Sequence, residues 1–203
     1  MKRFILSIFV FTLAMGFCFS ASAANRLRVS GDNTWVAFVN GEKVGEGSDW
    51  QAVGVYEFDL MNGGAVIAIY IHDAEPGAAG VGGALADIVL DDGSYYGSDE
   101  TWKADAGDPI EQRNDGWETV DYDDSGWENA HQMDQFGAGV WGGGTAAMKN
   151  NGLSDPDCTA YWVWAGPNDG ADEVYLRFTI PGTIVTAVKS AGKLATSWGS
   201  LKK

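Results

Sequence analysis

The stretch Gly31 to Gly47, GDNTWVAFVNGEKVGEG, confines the fold more tightly than any other part of the chain. Asn40-Gly41 sits between two strand-like runs, and a two-residue type I′ turn needs positive φ at both central positions, which Asn and Gly supply. The arm before the turn carries apolar residues on both faces: Trp35, Ala37 and Val39 on one, Val36 and Phe38 on the other. Such an arm predicts a strand covered on two sides. AVIAIYIH (65–72) is β-branched and aromatic in the manner of a central strand, and GALADIVL leads into a second turn at Asp91-Asp92-Gly93. VYLRFTI sets Val174, Leu176, Phe178 and Ile180 against Tyr175, Arg177 and Thr179, which predicts a half-buried strand near a sheet surface. Few segments keep a 3.6-residue apolar period, and turn signals recur between short strands. The expected fold is all-β, a β-sandwich or jelly roll.

The first residues read as a secretory signal: Lys2 and Arg3, an apolar run from Phe4 to Phe19, then the small-residue site SASAA. Cleavage after Ala23 is expected. A membrane anchor is disfavoured by the short run and the small residues that follow it. Cys18 follows Phe17, where a lipoprotein signal needs a small residue. Residues 24–181 are expected to form one domain, and residues 182–203 a basic tail. Cys158 is the one cysteine after the signal, so it is either buried and inert or free for an intermolecular bridge.

Charge excludes one class of partner. Residues 24–181 hold seven basic and 28 acidic side chains, a net of −21, whereas the tail holds four lysines and no acid. Nucleic acid is a poor partner for that surface. The tail, with Ile184, Val188, Trp198 and Leu201 between its lysines, reads as a cap on the acidic body, a docking segment for a protein partner, or a frayed end.

Three segments carry a family likeness: DNTWVAFVNGEKVGEGSDWQ, LDDGSYYGSDETWKA and GWETVDYDDSGWENA. Val39-Asn40-Gly41 with Val44-Gly45, Asp92-Gly93 with Asp99, Trp102 and Lys103, and Asp123-Asp124-Ser125 with Trp127 are the matching residues. In these the chain resembles the galactose-binding-like jelly-roll domains attached to bacterial α-L-rhamnosidases and related glycoside hydrolases. AYWVWAGPNDGADEVYLRFTI is similar to the W-x-W and F-R strands of the same domains, though here it closes the sandwich where the larger enzymes have it near the start of the module. The resemblance covers most of residues 26–181. It implies an accessory, carbohydrate-associated module without a catalytic domain of its own.

Motifs for catalysis are missing from the residues themselves. There are two histidines, His72 and His131, no G-x-S-x-G elbow and no H-E-x-x-H pair. A glycosidase needs two carboxyls about 5–10 Å apart, and Asp91-Asp92 and Asp123-Asp124 are neighbours in turns. GAGVWG (137–142) matches the dinucleotide fingerprint in letters but lacks the βαβ frame. The chain is therefore expected not to be an enzyme. Glycine on both sides of Trp141 lets an indole either stand out as a sugar-stacking platform or fold inward. Trp141 and Trp50 are the aromatic ligand candidates, with His72, Asp73, Asn168 and Asp169 to fix sugar hydroxyls. DYDDSGWENAHQ opens like a calcium loop at Asp121 and Asp123 but has Gln132 where the bidentate Glu belongs. Calcium at the rim is the one cofactor the sequence raises. The expected function is secreted, non-catalytic carbohydrate binding, with a cell-surface adaptor as the alternative.

Overall fold

The computed structural model describes residues 24–75, 81–167 and 169–182. The signal segment, Asn168 and almost all of the basic tail lie outside the described residues. Among the described residues twelve strands are formed: β1 (Asn25–Asp32), β2 (Thr34–Val39), β3 (Glu42–Gly47), β4 (Gly54–Phe58), β5 (Ala65–His72), β6 (Gly83–Val89), β7 (Tyr95–Gly97), β8 (Lys103–Ala106), β9 (Glu128–Asn129), β10 (His131–Gln135), β11 (Tyr161–Trp164) and β12 (Glu173–Ile180). A short α-helix, α1, spans Thr145–Met148, with a 3-10 turn before it and a π-turn after it. The strands form two antiparallel sheets, an all-β sandwich. The first sheet has the order β10-β11-β6-β1-β4, with β7 also on β6, and the second has the order β3-β2-β5-β12-β8-β9.

The hairpin forms as its turn chemistry dictates. Asn40 and Gly41 have φ of 53° and 87°, and β2 pairs with β3 across them. The Asn40 side chain adds a tie of its own, its Oδ1 accepting the Val66 N–H at 2.9 Å. Between the sheets, Leu27 and Val29 of β1 and Ala84, Ala86 and Ile88 of β6 meet Trp35, Ala37 and Val39 of β2, Ile67, Ile69 and Ile71 of β5, and Val174 and Leu176 of β12. Period-2 alternation supplies all of these from one face of each strand.

Both sheets are also covered on their outer faces, so the domain has four layers where the alternation alone predicts two. Residues 136–160 lie over the first sheet, packing Trp141, Met148, Leu153 and Cys158 onto Leu85 and Trp162. Residues 107–127 lie over the second, packing Trp117, Trp127, Ile110 and Tyr122 onto Ala68, Tyr70 and Tyr175. The second cover corrects the half-buried reading of β12. Tyr175 and Arg177, on its polar-looking face, are both buried.

A buried arginine holds each cover. Arg28 on β1 stands opposite Asp87 on β6 in the sheet register. Its Nε and Nη2 donate to the two Asp87 oxygens at 2.6 Å each. Nη1 reaches the carbonyls of Gly152 and Pro156 at 2.9 Å and of Asp155 at 3.2 Å. Arg177 repeats the scheme on the other sheet: Nε donates to Asp124 at 2.8 Å, and Nη1 to the carbonyls of Trp117 and of Thr119, the latter at 3.1 Å. Two of the residues that carry the family likeness, Asp124 and Trp127, are thereby explained as parts of one cover.

Cys158 is buried beneath the first cover and unpaired. Burial, reinforced by the Asp87 carboxylate, pushes its thiol up to about 12. It is expected to ignore a thiol reagent in the native domain and to react only on unfolding. Stoichiometric labelling of a chain beginning at Ala24, in buffer and in denaturant, checks this. Asp87→Leu leaves a buried guanidinium without its counter-charge and is expected to cost about 3–5 kcal/mol in urea unfolding. Adding Arg28→Met to that variant is expected to recover part of the loss, because the uncompensated charge is then gone.

Candidate functional site

An open cleft of about 660 Å³ lies where β2, β3, β5 and β12 end and the second cover begins. Thr34, Val36, Tyr70, His72 and Glu173 come from strands, Glu46 and Gly47 from the end of β3, Ser48 from the residue after it, and Pro109, Ile110 and Glu111 from the cover. Register assembles the centre. β5 and β12 pair with His72 opposite Glu173 and Tyr70 opposite Tyr175. Residues two apart on β5 share a face, so Tyr70 and His72 both reach the Glu173 carboxylate. The Tyr70 hydroxyl donates to Glu173 Oε2, and His72 Nδ1 lies 3.0 Å from Oε1. Burial and then the Glu173 hydrogen bond push the Tyr70 phenol upward, so it remains a donor. His72 is 39 % exposed and is the accessible member of the group.

The cover forms one wall of this cleft and is itself fastened. Tyr175 Oη donates to the Asp108 carbonyl at 2.6 Å. Arg113 bonds Asp105 at 2.9 Å and lies 4.2 Å from the centre of the Tyr175 ring. Pro109, Ile110 and Glu111 therefore follow a stretch of backbone that is anchored to β12.

Beside the cleft, the loops at the same end of the sandwich converge on an acidic rim. Asn33 N–H bonds the His72 carbonyl at 3.0 Å, and Asp73 N–H bonds the Asp172 carbonyl at 2.8 Å. Asn33 Oδ1 accepts the Ala74 N–H at 2.6 Å. Burial pushes the Asp32 carboxyl up, and Asp73, Glu75 and Asp49 push it further. Asp73, 4 % exposed, is raised by burial and by Glu75 and Asp172.

The sequence candidates fall in different places. His72 lines the cleft. Asp73 is next to it in the chain but buried in the rim, its Oδ1 taken by the Glu75 N–H at 3.0 Å. Asp169 is exposed in the loop between β11 and β12. Trp141 does not stand out as a platform: it is 4 % exposed, stacked on Trp162 at 4.3 Å, with its N–H given to Asp32 at 3.0 Å. The reason lies in a glycine outside its own loop. A Cβ on Gly83 would come within 2.4 Å of the Trp141 ring, so the bare backbone of β6 provides the seat. Trp50 is half-buried, edge-on to Trp162 at 6.4 Å. Tyr70, Glu173, Glu46 and Glu111 were missed by sequence reasoning. Alternation puts Tyr70 and His72 on one face, but only the β5–β12 register brings Glu173 to them.

Asp121 and Asp123 are exposed and far from forming a closed cage. Asp123 Oδ1 accepts the Ser125 N–H at 3.0 Å, closing the turn, and Asp124 serves Arg177. Among the described residues no group of three or more His, Cys, Asp or Glu side chains is placed to hold a metal ion. Among them, too, no helix is long and apolar enough to cross a membrane.

The raised carboxyls carry a pH signature. An Asp whose folded pKa lies above its unfolded value opposes folding when ionised, and the opposition fades as pH falls through the folded pKa. Asp73→Asn is therefore expected to raise Tm at pH 7 and to lose that advantage as pH approaches the ordinary carboxylate range. Thermal melts of both proteins between pH 4 and 7 test the sign.

No family model matches the chain. An α-L-rhamnosidase from Streptomyces avermitilis is 29 % identical to it over 124 residues, which is 57 % of this chain and 12 % of the enzyme. The crystal structure of Streptomyces avermitilis α-L-rhamnosidase complexed with L-rhamnose superposes with a TM-score of 0.48 at 28 % identity, covering 58 % of this chain and 12 % of that one. A Pleurotus ostreatus lectin in its apo form gives a TM-score of 0.42 at 21 % identity, covering 58 % of this chain and 34 % of the lectin. The chain thus spans about an eighth of the length of the curated relative it matches, and its likeness is to one part of an α-L-rhamnosidase.

Proposed function

We propose that the protein is a secreted, non-catalytic carbohydrate-binding module that takes a sugar in the cleft around His72. The observation that carries this reading is the make-up of the cleft. Hydrogen-bonding groups of Thr34, Glu46, Ser48, His72 and Glu111 stand around a floor to which Val36 and Ile110 contribute. A sugar ring needs this combination, an apolar surface for its C–H face and fixed polar groups for its hydroxyls. The partial match to a glycoside-cleaving enzyme supports the substrate class. Its restriction to 12 % of that enzyme's length supports an accessory part more than the enzyme's whole activity.

Binding also fits the way the carboxylates are held. Glu173 is engaged by Tyr70 and His72, and Glu46 is engaged by Lys43 at 2.7 Å. Glu173, held by two partners and mostly buried, is a fixed acceptor suited to orienting hydroxyls. Secretion rests on the signal-like residues 1–23.

Titration of Trp fluorescence against neutral and acidic oligosaccharides, with and without Ca²⁺, tests the proposal. A saturable response is expected. His72→Ala is expected to weaken it about ten-fold, the loss of one strong hydrogen bond, whereas Trp141→Phe is expected to leave affinity unchanged. No response to any glycan from a folded sample would overturn the reading in favour of a surface adaptor.

A further inference from the structure

In an Asn-Gly pair the side-chain amide is open to attack by the backbone nitrogen that follows it, because glycine has no side chain to shield that nitrogen. The chain has three such pairs, Asn40-Gly41, Asn62-Gly63 and Asn151-Gly152. The first two share one backbone geometry. Asn62 and Gly63 have φ of 50° and 82°, against 53° and 87° for Asn40 and Gly41. Two bonds close the 61–64 turn, Met61 N–H to the Gly64 carbonyl at 2.7 Å and Gly64 N–H to the Met61 carbonyl at 3.0 Å. Backbone conformation therefore does not separate these two pairs, and their surroundings do.

Asn40 is held. Its Oδ1 accepts the Val66 N–H at 2.9 Å, and a Cβ on Gly41 would meet Thr119 Cγ2 at 3.3 Å, so the second cover backs the turn. Asn151 is held through Nδ2, which donates to the Gln51 carbonyl at 3.1 Å, and the Gly152 carbonyl after it is taken by Arg28. Asn62 has neither restraint. It and Gly63 are exposed, and its amide has no hydrogen-bond partner among the described residues. Nothing lies within 4 Å of a Cβ placed on Gly63, and the Gly63 N–H is in none of the backbone bonds that close the turn. A bonded amide must break its hydrogen bond before it can rotate toward the next nitrogen, whereas the Asn62 amide starts free.

We propose that Asn62 is a site of spontaneous deamidation and the first of the three asparagines to convert in the folded protein. The Gly63 nitrogen bonds to Asn62 Cγ, the Cγ–Nδ2 bond breaks, and ammonia leaves with the Gly63 proton. Water then opens the cyclic imide at either carbonyl, giving aspartate or isoaspartate. Solvent is the only co-reactant, and nothing is oxidised or reduced. The product puts a carboxylate in the connection between β4 and β5, and its isoaspartyl form adds a methylene to the backbone of a tight turn. Gly182 crosses this turn so closely that a Cβ on it would lie 2.4 Å from the Gly63 carbonyl carbon. The new charge therefore appears at the root of residues 182–203, which hold four lysines and no acid.

Peptide mapping by mass spectrometry of the full chain, incubated at pH 8 in buffer and in urea, tests this. In buffer the Asn62 amide is expected to be lost at least about five-fold faster than that of Asn40 or Asn151, the factor that breaking one hydrogen bond imposes. Both aspartate and isoaspartate are expected in its peptide. In urea the three asparagines are expected to convert at similar rates. Equal rates in buffer, or faster loss at Asn40 or Asn151, would overturn the assignment. An Asn62 that survives in buffer while all three convert in urea would overturn it as well. The same lead kept in urea would do so too, because local sequence and not the fold would then set the order. Aspartate alone at Asn62 would replace the imide route by direct hydrolysis and overturn the chemistry proposed.

Discussion

Two buried guanidinium groups, Arg28 and Arg177, hold the layers of this protein together. A charged group inside a sandwich is tolerable only when every N–H it buries finds an acceptor. Arg28 meets that demand with Asp87 across the strand pair and with three backbone carbonyls of the segment above. Those carbonyls belong to irregular backbone that has few partners of its own, so one side chain satisfies both parties. Arg177 does the same with Asp124 and the carbonyls of Trp117 and Thr119. Each arginine turns a long loop into an ordered layer and fixes where that layer lies.

The position of the cleft follows. With residues 136–160 over one sheet and 107–127 over the other, apolar faces that a two-layer sandwich would expose are used up by indoles and phenols of the same chain. One accessible concavity lies at the margin of the second cover, where Pro109 to Glu111 face His72 and the end of β3. The high tryptophan content therefore goes mainly into packing. Trp102, Trp117, Trp162 and Trp164 are fully enclosed, and Trp141 joins Trp162. The cleft is lined instead by hydrogen-bonding groups such as Tyr70, His72 and Glu173, brought together by strand register.

The sandwich was readable because its signals are local. Asn40-Gly41, the β-branched run at 65–72 and the alternation in 174–180 each encode their own geometry, and each element formed. Arg177 shows the limit. On a bare alternation it marks a solvated face, and only the distant Asp124, 53 positions earlier, makes it a buried anchor. Trp141 misled for a related reason: its glycine neighbours were visible, but the glycine that seats it, Gly83, lies 58 positions away on another strand. His72 was found as a polar residue at the end of a strand. Glu173 was not, because pairing of β5 with β12 depends on which strands are neighbours, and nothing within either strand states that.

Hydrogen exchange of Arg177→Met against the parent protein, followed segment by segment, tests the account most directly. The replacement keeps the apolar stem and removes the donors that hold the cover. The account predicts that amides of residues 107–127 lose protection while those of β1, β5 and β6 keep theirs. Unchanged protection across 107–127 in a variant with intact strands would contradict it, since the cover and the cleft wall it forms would then be held by something other than this arginine.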